Sequence, residues 1–109
     1  MHRVKLFRHK TTDISIYIDA YFDGGSLIIE GQDIGKTVED WWGDSDYEYI
    51  LTVPADEVSR LYPLLKVKQG DKESLLNKIA AKYNTNTCYS DFMSFLERNN
   101  IKFETFTWT

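Results

Sequence analysis

The feature that most constrains the fold is a change of hydrophobic period along the chain. From Ile14 to Phe22 every second residue is apolar, and most of the residues between them are polar. Alternation of this length predicts a half-buried β-strand. Beyond Val58 the apolar residues recur every three or four positions, which is the spacing of amphipathic helices. The chain is therefore expected to form a sheet first and to add most of its helices afterwards.

Five segments are predicted to be strands. The first alternates around Val4 and Leu6, and an Asp-Gly turn in FDGGS joins the second strand to the third, SLIIEGQ, as a hairpin. The alternating segment DYEYILTV, which Pro54 ends, and the terminal segment IKFETFTWT complete the set. The second strand is expected to turn one apolar row towards the core: Ile14, Ile16, Ile18, Ala20 and Phe22.

A short helix is predicted between the third and fourth strands. Asp33 is placed to cap its N-terminus, and Gly43 lies where a left-handed glycine commonly ends a helix. The residues with helical spacing between them are Ile34, Val38, Trp41 and Trp42.

One later helix is expected around Leu61, with a break or restart at Pro63. Two longer helices are expected after it, each marked by a stripe of apolar residues. These stripes run from Leu75 to Tyr83 and from Tyr89 to a stop at Asn99-Asn100. The predicted order is βββαβ, two or three helices, and β. We therefore predict that residues 1–109 form a single α+β domain, with an antiparallel or mixed sheet of about five strands and helices mainly on one face.

Length and composition exclude several classes of protein. The 109 residues are 42% hydrophobic, which suffices for a core without disulfide or metal support. No apolar run approaches the ~18 residues that a membrane span needs. The opening MHRVKLFRHK lacks the apolar core of a signal peptide, and Cys88 has no second cysteine to pair with. We expect a protein of the reducing cytoplasm that does not contact the membrane.

Charge is distributed unevenly along the chain. The net charge is −4 overall, but residues 1–12 carry +4, residues 13–57 carry −11 and residues 58–109 carry +3. Nucleic-acid binding is unlikely, because phosphate neutralisation favours a basic protein and the isoelectric point is about 5.1. An acidic middle segment instead favours a basic protein partner, which the charge would steer.

The most specific candidate for the binding face is the segment WWGDSDYEYI. Its acids are interleaved with aromatic residues, so charge could guide a partner and a tryptophan could anchor it. If the third and fourth strands pair, two further carboxylates would lie near it. The predicted binding residues are Asp44, Asp46, Glu48, Glu30, Asp33 and Trp42.

Other kinds of site fit the sequence less well. A calcium loop starting at Asp44 would need glycine at its sixth position and glutamate at its twelfth, where the chain has Tyr49 and Ala55. No motif for a metal, a cofactor or a nucleophile is present, so none of these is predicted. The alternative to a non-catalytic binding module is a small carboxylate-dependent hydrolase or ligand-binding enzyme. Its acids would be Glu30, Asp33, Asp46 and Glu48.

The run SLIIEGQDIG followed by WWGDSDYEYILTVP resembles a pattern in small, stand-alone bacterial proteins that have no assigned activity. The resemblance covers roughly residues 21–54. In size and acidity the chain also resembles immunity proteins, which occupy the active clefts of toxin enzymes. This resemblance implies an inhibitor of a basic, nucleic-acid-cleaving enzyme and carries over no individual residue.

Overall fold

The computed structural model describes residues 2–35 and 46–108, except for the side chain of Asp46. Five strands in this part of the chain form one sheet, in which the spatial order is the chain order and all neighbours are antiparallel. The strands are β1 (Arg3–Lys10), β2 (Ile14–Asp23), β3 (Ser26–Gly35), β4 (Asp46–Val53) and β5 (Glu104–Trp108).

The described helices all lie between β4 and β5 in the chain, and they pack on one face of the sheet. They are α1 (Ala55–Val58), α2 (Leu61–Leu64), α3 (Lys72–Lys82) and α4 (Cys88–Arg98). The helix α3 crosses β1 and β2, and α1 contacts β3. The predicted α+β class, with an antiparallel five-stranded sheet, is confirmed.

The predicted register of β2 is also confirmed. Ile18 and Ala20 are completely buried beneath the helices, with exposures of 1% and 0%. Ile16 and Phe22 pack against the same core but remain half-buried, as does Ile14. The apolar row therefore faces the core along its whole length, and it is most deeply buried at its centre.

The Asp-Gly turn forms the predicted hairpin. Asp23 pairs with Ser26, so the loop between β2 and β3 consists of two glycines. Gly24 and Gly25 have φ values of 57° and 85°. Positive φ at both central positions is the requirement of the type I′ turn, whose twist matches that of the flanking strands.

The prediction of a helix starting after Asp33 is wrong at its first residues. Asp33 and Ile34 belong to β3, which continues to Gly35 because β2 supplies pairing partners as far as Ile14. A residue that pairs on both sides in a sheet cannot cap a helix. The remainder of that predicted helix, including Gly43, lies outside the described residues.

The later helices follow the predicted pattern. The break predicted at Pro63 lies earlier, at Ser59 and Arg60, so the proline itself lies in the first turn of α2. A first-turn proline loses no intrahelical hydrogen bond. Asp71 caps α3 by accepting a hydrogen bond from the Ser74 backbone N–H at 3.0 Å.

The final helix ends where the sequence predicted. Its last residue is Arg98, and Asn100 adopts a left-handed φ of 55°. The Arg60 guanidinium then donates to the carbonyls of Asn99 and Asn100 at 2.9 and 2.8 Å. This contact satisfies carbonyls that the helix leaves free and ties α4 to the start of α2.

Gly31 on β3 lies beneath a contact between the sheet and the helix layer. Its cross-strand partner on β4 is Tyr49, whose ring lies over the glycine. A Cβ atom at position 31 would collide with that ring. The tyrosine ring in turn meets Tyr89 of α4 edge-on, with centroids 4.8 Å apart. Glycine at position 31 therefore makes room for the contact between β4 and α4.

We predict that Gly31→Ala lowers the free energy of unfolding by about 1–3 kcal/mol, the usual cost of overpacking a filled site. Because the collision is with one ring, the loss should be smaller when Tyr49→Ala is also present. A double-mutant cycle measured by urea unfolding tests this coupling. Additive losses would show that the glycine serves another purpose.

Candidate binding surface on the open face of the sheet

The described helices cover one face of the sheet, and we call the opposite one the open face. Strand residues alternate between the faces, so the register decides which side chains the open face carries. From β1 to β5 these are Arg3, Lys5, Arg8 and Lys10; Ser15, Tyr17, Asp19, Tyr21 and Asp23; Ser26, Ile28, Glu30, Gln32 and Ile34; Glu48, Ile50 and Thr52; and Glu104, Phe106 and Trp108.

The charges on the open face are arranged by strand. The cations lie on β1, which forms one edge of the sheet. On the open face, the described side chains of β3, β4 and β5 include three carboxylates, Glu30, Glu48 and Glu104, and no lysine or arginine. The surface therefore runs from basic at β1 to acidic at the opposite edge.

Arg3 neutralises one acid on β2 and one on β3. Its Nη1 atom lies 2.9 Å from Glu30 Oε2 and 3.3 Å from Asp19 Oδ2. The guanidinium carbon also lies 4.2 Å from the centre of the Tyr21 ring. The Tyr21 hydroxyl donates to the other oxygen of Glu30 at 3.2 Å. One guanidinium is thus held by two carboxylates and an aromatic ring.

Arg8 repeats this arrangement two rows further along the sheet, with the row of Asp19 between them. Its Nη2 atom lies 2.6 Å from Asp19 Oδ1, and its guanidinium carbon is 5.4 Å from the Tyr17 ring centre. Asp19 therefore bridges both arginines, and its side chain is only 17% exposed. As a result, the acids in the middle of the open face are neutralised within the chain.

The acidic edge has no such neutralisation in the described part of the chain. Glu48 accepts a hydrogen bond from the Gln32 amide at 3.2 Å, and no described lysine or arginine forms an ion pair with it. Its partner on β5 is Trp108. Side chains directly opposed in this way lie about 5 Å apart at their Cβ atoms.

Two exposed aromatic residues lie beside this carboxylate. Phe106 is 64% exposed and Trp108 is 40% exposed, and their rings are in contact with centroids 5.4 Å apart. Both lie on β5, an edge strand that pairs only with β4 in the described sheet. Adjacent exposed aromatic rings beside a carboxylate are characteristic of a protein contact surface.

The open face contains a shallow depression of about 180 Å³. Trp108 forms one side, Arg3 and Asp19 lie at the other, and Glu30 and Glu48 lie between them. Sites for drug-sized ligands usually occupy about 300 Å³ or more. The depression is therefore large enough for a side chain but small for a metabolite.

The sequence-predicted site residues do not all come together. Glu30 and Glu48 share the open face and the depression, as predicted. Asp33 lies on the opposite, helix-covered face. Asp46 is the first residue of β4 and pairs with Ile34, while Asp44 and Trp42 lie outside the described residues.

The role of Asp33 on the covered face is structural. It accepts a hydrogen bond from the Tyr49 hydroxyl at 3.0 Å. Burial raises the pKa of Asp33 above its ordinary value of 3.8, and the tyrosine hydrogen bond opposes this only in part. Burial, together with the neighbouring Asp33, also raises the pKa of Tyr49, so its hydroxyl stays protonated and donates. The pair supports β4 from within the covered face.

We predict that Asp33→Asn raises the free energy of unfolding at pH 7 by about 1 kcal/mol or less, because the half-buried carboxyl is costly to ionise. A raised pKa means that the folded state holds the proton more tightly. The native chain should therefore lose stability relative to the variant as pH rises from 3.8 through the raised pKa of Asp33. Below pH 3.8 the two should converge. Urea unfolding from pH 3 to 7 measures this, and a variant that is less stable at pH 7 would contradict it.

Phe106 and Trp108 were not among the site residues predicted from the sequence. The segment ETFTW does alternate aromatic residues with threonines, which places both rings on one face of the strand. Deciding whether that face is covered or open requires the register with β4, in which Phe106 opposes Ile50. Arg3 and Arg8 were missed for the same reason, since their partners lie on other strands.

Three further observations concern metal binding, the thiol and the membrane. Among the described residues, no group of three or more His, Cys, Asp or Glu side chains could hold a metal ion. The thiol of Cys88 is completely buried, and burial raises its pKa to about 11, which suppresses the reactive thiolate. Within the described residues, every helix is too short or too polar for a membrane span.

No protein-family model, curated protein or solved structure matches this chain. The geometry of the open face is therefore the basis for inferring a function.

Proposed function

We propose that the chain is a non-catalytic protein-interaction module that binds a basic protein through the β4–β5 side of the open face. The binding surface consists of Phe106, Trp108 and Glu48, with Ile50 and Glu104 at its margin. The observation that carries the proposal is the exposed pair of aromatic rings beside a carboxylate that no described cation neutralises.

The exposure of the rings supports a protein partner. Among the described residues only three large apolar side chains are exposed, and two of them are Phe106 and Trp108. The third, Leu64, lies on α2, away from the sheet. Exposed aromatic residues that pack together supply rigid apolar area, and tryptophan is among the commonest anchors of protein interfaces.

The charge of the surrounding strands supports a basic partner. Glu30 is neutralised by Arg3, so the described carboxylates left for a partner on β4 and β5 of the open face are Glu48 and Glu104. Lysine and arginine are absent from β3, β4 and β5. Complementary charge speeds the encounter of two proteins and disfavours partners of the same sign.

In its most specific form, the proposal is an inhibitor or immunity protein that covers a basic, nucleic-acid-cleaving enzyme. Asp44, Asp46 and Trp42 belong to this form of the proposal as additional contacts. We place the protein in the cytoplasm, where the single buried Cys88 would stay reduced.

The hydrolase alternative has less support. Paired-carboxylate hydrolysis requires two acids facing one substrate, one of them with a raised pKa. Asp33 is the predicted acid whose pKa burial raises, and it lies on the face opposite Glu30 and Glu48. Glu30 is also held by Arg3 and Tyr21.

We predict that a basic protein is captured from an extract of the source organism by the native chain and that Trp108→Ala abolishes the capture. With the purified partner, Trp108→Ala should weaken binding by about 2 kcal/mol or more, the size typical of a central aromatic anchor. The native association rate should also fall about tenfold or more between low and high salt, because the surface is charged. Biolayer interferometry measures both effects.

Leu64→Ala provides the matched control, because Leu64 and Trp108 are both 40% exposed. This variant should capture the partner as the native chain does. Capture that survives Trp108→Ala, or a captured partner that is acidic, would contradict the proposed surface.

A further inference from the structure

The open face brings a carboxylate and an aromatic ring together in three places, and a described arginine joins them in two of the three. In the first, the Arg3 guanidinium lies over the Tyr21 ring and bonds to Glu30 and Asp19. Each of these contacts suits a guanidinium, whose flat face stacks on aromatic rings while its edge donates to carboxylates.

The second combination is held by Arg8. Its guanidinium lies near the Tyr17 ring and bonds to Asp19 at 2.6 Å. Tyr17 is the cross-strand partner of Arg8, so aromatic ring and cation face each other from neighbouring strands. The sheet therefore builds the same recognition unit twice from different rows.

The third combination lacks a cation in the described part of the chain. Glu48 and Trp108 face each other across β4 and β5, as a carboxylate and a ring on one face. Their row runs across the sheet to Arg8 and Tyr17, through Gln32 in the middle. Both residues line the depression, which is open to solvent.

We propose that the depression between Glu48 and Trp108 is a recognition pocket for one arginine side chain of the basic partner. This inference rests on the proposed function and specifies the chemical group of the partner that the surface binds. The guanidinium would stack on the Trp108 ring and donate to Glu48, as Arg3 does with Tyr21 and Glu30.

The size and chemistry of the depression fit a single side chain. Its 180 Å³ corresponds to several water molecules, each of which takes up about 30 Å³ in the liquid. Gln32 adds an amide beside Glu48, and this amide donates to the Glu48 carboxylate at 3.2 Å. A planar donor exploits both the carboxylate and the ring, whereas a lysine ammonium exploits chiefly the charge.

The test is an NMR titration of the full chain with N-acetyl-arginine N-methylamide as the probe. The Trp108 indole resonance, identified by its loss in Trp108→Phe, should shift and saturate with a Kd on the order of millimolar, as expected for one side chain. The citrulline analogue, which has the same shape without the charge, should cause no saturable shift. The lysine analogue should bind several-fold more weakly.

Two variants locate the binding. Glu48→Gln should weaken the probe about tenfold, because a charge-assisted hydrogen bond is lost. Glu97→Gln, which removes an exposed acid on α4, should leave probe affinity unchanged. Thermal unfolding of both variants shows whether they are folded, and Gln32→Asn provides a milder change in the same pocket if Glu48→Gln fails to fold.

Equal binding of arginine and citrulline probes, or unchanged affinity in a folded Glu48→Gln variant, would overturn the arginine pocket. The proposed function fails separately. If Trp108→Ala abolishes partner capture but the arginine probe does not bind, the binding surface stands and the pocket is wrong. If the probe binds as predicted but Trp108→Ala leaves partner capture intact, the pocket stands and the proposed function is wrong.

Discussion

The arrangement of the molecule depends on where its described helices occur in the chain. All of them lie between β4 and β5, and they cover a single face of the antiparallel sheet. The other face must therefore be compatible with water across the strands. The chain achieves this at β1–β3 by pairing arginines with carboxylates, with Asp19 held between Arg3 and Arg8. Partly exposed pairs of this kind add modestly to stability, but here they also fix which charges remain available to a partner.

Ion pairs within the chain reduce the number of acids that the acidic segment, residues 13–57, can offer to a partner. The sequence alone shows eleven uncompensated negative charges between residues 13 and 57. In the folded sheet, arginines of β1 pair with Asp19 and Glu30. The negative charges of these two acids are therefore neutralised and are not available to a partner. Glu48 is an acid that keeps no described cation, and it lies beside two exposed rings. The candidate site is therefore a mixed aromatic and acidic surface at one edge, smaller than the whole acidic segment.

The sequence predicted the elements well because period and turn chemistry are local. The alternation of β2, the two-glycine hairpin and the stop at Asn100 were all confirmed. The sequence predicted the site less well. Which side chains share one face of the sheet depends on strand register, and register joins residues that are far apart in the sequence. Asp33 seemed a helix cap beside Glu30, yet the ladder with β2 continues through it and turns its side chain to the covered face. Trp108 and Phe106 lie far from the acids in sequence and reach them only through the register of β5 on β4.

The central claim is that Glu48 and Trp108 form a carboxylate and aromatic pair to which no arginine in the described part of the chain is bonded. The most direct test supplies one within the chain. Gln32 is the neighbour of Glu48 across β3 and β4, so Gln32→Arg would place a cation beside the carboxylate. The account predicts that this variant unfolds at the native temperature or slightly above it, while its affinity for the arginine probe falls about tenfold or more. A folded Gln32→Arg variant that binds the probe as tightly as the native chain would contradict the account.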